Sequence, residues 1–94
     1  MKHISFSSLI FKEGETYVAY CPQLDLSSCG ASVDHARKML REAVWLFVEE
    51  AEKMGTLEQI LEEAGYHLSG QDRAREWIPP QLMAVELAEV EMGA

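Results

Sequence analysis

The sequence predicts a small α+β domain of the order βββααβ, a mostly antiparallel sheet with helices on one face. Three observations predict it: two β-prone aromatic runs joined by a glycine-containing turn, a long amphipathic helix, and a final alternating segment. A chain of 94 residues has room for one domain, so we expect residues 1–94 to form a single unit.

The N-terminal third of the chain predicts three strands. Residues 3–12 ("HISFSSLIFK") and 16–21 ("TYVAYC") carry the β-prone residues, and "KEGE" between them supplies the turn. Pro22 has no amide hydrogen for a ladder, so we expect the second strand to end there. The third predicted strand is "DLSSCG", residues 25–30.

A long helix is predicted next. Gly30 permits a tight turn, Ser32 takes the N-cap position, and Asp34 lies in the first turn, where the helix dipole favours an acid. We expect this helix to run to about Met54 and to lay one apolar stripe against the sheet. The stripe comprises Ala36, Leu40, Ala43, Val44, Phe47 and Ala51.

The motif "TLEQ" predicts a second, short helix with a capping box between Thr56 and Gln59. Gly65 ends this helix, and we expect Tyr66 to pack on Leu61. The positions with predicted structural roles are therefore Pro22, Gly30, Ser32, Asp34, Thr56 and Gly65.

The C-terminal part is harder to assign. Residues 67–76 are polar and predict a loop, in which Arg73 and Arg75 form a small basic spot. Residues 81–90 ("QLMAVELAEV") alternate in polarity and predict the last strand. A helix over the same residues stays an open alternative, because Leu, Met, Ala and Glu are good helix formers.

Trp45 is the first candidate for a binding site. On a helical wheel it lies almost opposite the apolar stripe, so it is either covered by another part of the chain or anchors another protein. We therefore predict a partner or oligomer interface at Trp45, Arg41, Glu49 and Glu52.

No catalytic site, metal site or cofactor is predicted. Cys21 and Cys29 are separated by seven residues without a second ligand pair, which is not a zinc spacing, and we expect both to be free thiols. Nothing in the sequence orients His35 as a base for a cysteine nucleophile. Asp25 stands alone in its strand, whereas nuclease chemistry needs clustered carboxylates.

The charge balance narrows the class of partner. Sixteen acids against eight bases give a net charge of −8, which repels phosphate backbones and attracts basic proteins. We expect no direct nucleic-acid binding, no membrane span and a cytoplasmic location.

The stretch "YVAYCPQLDLSSCGASVDHARKMLREAVWLF" resembles the N-terminal domain of HicB-type antitoxins and their stand-alone relatives. The matching residues are Tyr17 to Tyr20, Pro22, Leu24, Gly30, Ala36, Glu42 and Ala43. The chain departs from the family pattern at Gln23, Ala31, Ser32, Asp34 and His35. Ser32 and Asp34 keep the structural roles of a cap and a first-turn acid.

The resemblance implies a truncated RNase H-like fold. Many members of the family also carry a C-terminal DNA-binding domain, whereas we expect no separate DNA-binding domain in residues 1–94. The resemblance further implies a homo-oligomeric, non-enzymatic antitoxin that neutralises a small basic HicA-like toxin, an mRNA-cleaving enzyme, by protein contact. The alternative is an orphan homo-oligomer of the same fold that serves self-assembly or small-ligand binding. A weaker alternative is an enzyme with a Cys or carboxylate site.

Overall fold

A computed structural model describes residues 2–70 and 75–93 of the chain. Its strands and helices are, in chain order, β1 Lys2–Ile4, β2 Leu9–Glu13, β3 Thr16–Cys21, β4 Leu26–Gly30, α1 Val33–Lys53, α2 Leu57–Glu63, β5 His67–Ser69 and β6 Arg75–Ile78. The α+β class with two helices and mostly antiparallel strands is confirmed.

The strands form two three-stranded sheets. One is antiparallel with the order β2-β3-β4, and the other has the order β1-β6-β5, in which β1 and β6 are parallel. α1 packs across β3 and β4 and continues toward the second sheet. The long helix therefore joins the two halves of the molecule.

The predicted strand over residues 3–12 is interrupted, because residues 5–8 belong to neither sheet. The side chain of Gln23 replaces a strand partner here: its Oε1 accepts from the Ser7 amide at 3.0 Å, and its Nε2 donates to Ser7 Oγ at 2.7 Å. β1 and β2 can thus pair with different neighbours, β6 and β3.

The C-terminal predictions are wrong in two places. The expected loop over residues 67–76 contains β5 and the start of β6, while Arg73 lies outside the described residues. The expected strand over residues 81–90 is neither strand nor helix, and the last strand is β6 instead. Pairing with β1, which no local pattern encodes, stabilises β6 as a strand.

The ends of α1 follow from local chemistry. Ser32 is the N-cap, and its Oγ accepts a hydrogen bond from the His35 amide at 3.0 Å. A side chain at Gly30 would place its Cβ 2.6 Å from the Ala36 nitrogen, so the chain turns into the helix only with glycine there. Asp34 lies in the first turn and pairs with Arg37.

The capping box predicted for α2 is not formed. Thr56 occupies the N-cap position without a side-chain capping bond, and Gln59 donates to Glu63 instead of reaching back. The Thr56 amide is already held by the carbonyl of Ala51 at 3.0 Å, as part of the end of α1. Its backbone is consequently not in the extended conformation that a capping residue adopts.

A glycine turn ends α2. Gly65 has a φ of +90°, and the Tyr66 amide donates to the Leu61 carbonyl at 2.9 Å, the pattern of a Schellman motif. Tyr66 and Leu61 also belong to the same buried cluster.

The core consists of two clusters bridged by α1. The first comprises Ala19, Cys21, Ala36, Leu40 and Val44, and the second comprises Ala51, Leu57, Leu61, Tyr66 and Trp77. The predicted stripe supplies Ala36, Leu40, Val44 and Ala51 to these clusters. Ala43 and Phe47 lie at its margin, half-buried.

Candidate protein-binding site

The antiparallel sheet is apolar on both sides. The side that faces α1 carries Ile10, Tyr17, Ala19, Cys21 and Leu26, which pack into the first core cluster. Because side chains alternate along a strand, the opposite side, here called the outer face, carries Leu9, Phe11, Val18, Tyr20 and Cys29. Phe11 on β2 is 52% exposed and Cys29 on β4 is also exposed, so both edge strands of this face are open to solvent.

Acidic side chains border the outer face. The Tyr20 hydroxyl donates to Asp25 Oδ1 at 2.9 Å, and this hydrogen bond raises the pKa of Tyr20. Asp25 has a left-handed backbone with a φ of 53°, a conformation that Asp tolerates better than most residues. Glu13 ends β2 on the same side as Phe11, by the alternation of the strand. An apolar centre with a charged rim is the usual anatomy of a protein interface.

The second surface is a groove between α1 and the N-terminal stretch, here called the α1 groove. Its cavity of about 550 Å³ is lined by Lys2, His3, Ile4, Phe6, Arg41, Val44, Trp45, Val48 and Glu52. An adjoining cavity shares Ile4, Phe6 and Arg41 with it and adds Arg37. The floor is therefore apolar, and arginines lie at one end.

The predicted interface residues meet at this groove. Trp45 is 63% exposed and forms one wall, beside Arg41 and Glu52. The Glu52 carboxylate forms an ion pair with Lys2 of β1. Glu49 lies on the other side of Trp45, where its Oε1 is 3.1 Å from Lys53 Nζ.

Sequence reasoning missed the contributions of β1 and of the outer face. β1 reaches the groove only because the strand is interrupted after Ile4, and that interruption depends on Gln23. The outer face had a sequence signal, since neighbouring positions of both "LIF" and "YVAY" are apolar. A strand that is apolar at consecutive positions presents apolar side chains on both sides of its sheet.

The residues suspected of chemistry are not brought together. Cys21 points toward α1 and Cys29 lies on the outer face. Burial raises the pKa of the Cys21 thiol, the opposite of what a nucleophile needs. His35 Nδ1 accepts a hydrogen bond from the Ala31 amide at 3.0 Å and so helps to cap α1.

The described residues contain neither a cluster of metal-binding side chains nor a helix that could span a membrane. Among residues 2–70 and 75–93, no three His, Cys, Asp or Glu side chains are grouped to share a metal ion. Neither helix in the described ranges combines the length and the apolar character needed to cross a bilayer.

Searches of protein-family models, curated proteins and solved structures found no match to this chain. The features of this chain that suit binding are two surfaces: the outer face with its acidic rim, and the α1 groove with Trp45.

Proposed function

We propose that this protein is a non-enzymatic, HicB-like antitoxin-type binding protein that acts in the cytoplasm. It would neutralise a small basic mRNA-cleaving toxin by covering it through the outer face. The resemblance of residues 17–47 to HicB-type domains suggests this class of partner, together with a truncated RNase H-like fold.

The observation that carries the proposal is the open, acid-bordered outer face. Phe11 is exposed on this face, next to Val18 of the central strand, although the other side of the same sheet is packed by α1. A few well-packed anchor residues, aromatic ones among them, contribute most of the binding free energy in protein complexes. Asp25 and Glu13 at the border would meet basic side chains of the partner.

Net charge supports the same class of partner. At −8, the chain attracts a basic protein over several ångströms and raises the rate of encounter, an effect that falls with ionic strength. The same charge disfavours direct binding to RNA, so inhibition would act on the toxin and not on its substrate.

The test is co-expression with the adjacent open reading frame, provided that it encodes a short basic protein. We expect this chain to rescue growth and to co-purify with its neighbour. Phe11→Asp should abolish both, because it replaces an exposed aromatic side chain of the outer face with a charge. Leu46→Asp is the matched control, since Leu46 is equally open to solvent but lies on α1.

Absence of a basic neighbour, or neither rescue nor a complex, would remove the antitoxin proposal. An orphan homo-oligomer would then be the better description. One observation favours that second candidate independently, namely the exposed apolar segment that follows β6.

A further inference from the structure

The segment after β6, residues 81–92 and here called the tail, is apolar. Its first residues, Gln81 and Leu82, line a shallow cavity with Phe6, whereas the apolar side chains beyond Leu82 are exposed. Its exposed large apolar side chains are Leu82, Met83, Val85, Leu87, Val90 and Met92. The radius of gyration is 15.9 Å, whereas a compact chain of this length has about 12 Å. The longest dimension of the molecule is 56 Å against 31 and 22 Å for the others. The tail thus projects from the domain.

Two prolines direct the tail away from its own sheet. The parallel ladder between β1 and β6 ends at the pair of Ile4 and Trp77, and β6 itself ends at Ile78. Pro79 and Pro80 have no amide hydrogens with which to extend the strand. Pro80 packs closely at Gly65, where an added Cβ would lie 2.8 Å from its ring. The base of the tail is fixed, and the residues beyond it are available to another surface.

The α1 groove matches the tail in polarity. Its floor of Ile4, Phe6, Val44 and Val48 is apolar, and the indole of Trp45 stands exposed at its wall. A contiguous row of exposed apolar side chains on a soluble protein marks a contact surface. This chain carries such a row on the tail and an open apolar groove on the domain.

The charges of the tail and of the α1 groove are also complementary. The tail carries Glu86, Glu89 and Glu91, and no base. At one end of the groove, Arg41 has no ion pair with any residue in the ranges 2–70 and 75–93. At the opposite end, Glu49 and Glu52 are already paired with Lys53 and Lys2. The charges therefore place the acidic part of the tail at the arginine end.

We propose that the tail of one copy of this chain lies in the α1 groove of a second copy. Met83, Val85 and Leu87 contact the apolar floor and Trp45, and Glu86 or Glu89 pairs with Arg41. The tail is not in its own groove, since Leu87 is 98% exposed. Reciprocal exchange between two copies covers both tails and both grooves, as the closed symmetry of a homodimer requires. This proposal does not depend on the toxin partner.

The test uses the full chain in analytical ultracentrifugation. We expect the wild type to form a dimer of twice 10.6 kDa, and a Val85→Asp/Leu87→Asp variant to be monomeric. The control is Leu46→Asp, which also replaces an exposed apolar side chain with an acid but lies outside the groove. This variant should remain dimeric. A wild type that is monomeric at high micromolar concentration, or a tail variant that remains dimeric, would overturn the proposal.

Charge reversal tests the orientation of the tail. Arg41→Glu should raise the dimer dissociation constant by about tenfold or more. Adding Glu86→Lys and Glu89→Lys to that variant should restore at least part of the affinity. Failure of the reversed pair to restore any affinity would contradict the arginine contact.

Trp45 reports on the groove directly. Dilution of the dimer should shift tryptophan emission to the red as Trp45 becomes exposed, while Trp77 stays 97% buried in the core of every species. The shift should be absent in Trp45→Phe. If the dimer dissociates without a red shift of the tryptophan emission, Trp45 is not at the interface and the proposal is wrong. If Phe11→Asp abolishes the dimer and the tail variant does not, the interface lies on the outer face instead.

Discussion

At the scale of single residues, Tyr66 shows how burial and one hydrogen bond act together. Its hydroxyl donates to the Ser5 carbonyl at 2.6 Å, and the ring lies in the second core cluster. Burial raises the pKa of Tyr66 to about 12, because the phenolate would lose its hydration there. This bond fixes the end of β1 against the turn that follows α2.

The raised pKa of Tyr66 predicts that the free energy of unfolding falls at high pH. In the unfolded chain Tyr66 ionises near its ordinary pKa of 10, whereas in the folded protein it keeps its proton up to about pH 12. The contribution of Tyr66 to stability is therefore full below pH 10 and is lost progressively between pH 10 and 12. Absorbance at 295 nm should show Tyr66 as a tyrosine that ionises near pH 12.

The control for that titration is Tyr66→Phe. It should remove the late ionisation and lower the free energy of unfolding at neutral pH by about 1 kcal/mol, the usual cost of losing one hydrogen bond. A late tyrosine that persists in Tyr66→Phe would contradict the assignment.

At the scale of elements, the N-terminus of α1 depends on a few local contacts. Ser32 Oγ caps the His35 amide, and the His35 ring in turn accepts from the Ala31 amide. The helix spans both core clusters, so fraying of its first turn would loosen Ala36 in the first cluster.

Ser32→Ala should accordingly lower the free energy of unfolding by about 1 kcal/mol, because one helix amide loses its partner. Ser32→Asp should preserve stability, since Asp caps as well as Ser. Urea denaturation followed by circular dichroism measures both variants. Equal stability of Ser32→Ala and the wild type would show that the cap is dispensable.

The elements also show which features can be predicted from sequence. β3, β4 and α1 follow from signals within a few residues of their ends, such as Pro22 and Ser32, and their predicted bounds agree closely with the observed ones. The break at residues 5–8 depends on Gln23, and β6 depends on β1, more than 70 residues away. Single-sequence periodicity does not encode such distant pairings.

Some residues of the candidate site can likewise be predicted from local sequence, and others only from the tertiary structure. Trp45, Arg41 and Glu52 were predicted to share a surface because they share one side of a helix, a local property. Their apolar counterpart, Ile4 and Phe6, comes from the N-terminus and required the tertiary structure. The outer face has a local signal in the consecutive apolar residues of "LIF" and "YVAY", but its exposure required the tertiary structure.

At the scale of the whole molecule, the protein has two open apolar surfaces on opposite sides of α1 and its sheet. The two proposals place a second copy of the chain in the α1 groove and a basic partner on the outer face. If both hold, self-association and partner binding use different surfaces and do not compete. The tail variant Val85→Asp/Leu87→Asp should therefore lose the dimer but keep the partner.

The most direct test of the central claim uses the chain's own cysteines. Cys29 lies on the outer face and is exposed, whereas Cys21 is buried and serves as an internal control. We expect a thiol reagent to alkylate Cys29 rapidly in the isolated protein. Co-purified basic partner at about 100 times its dissociation constant should slow this reaction by roughly 100-fold, with Cys21 unreactive throughout. An unchanged rate at Cys29 in the complex would show that the partner does not cover the outer face.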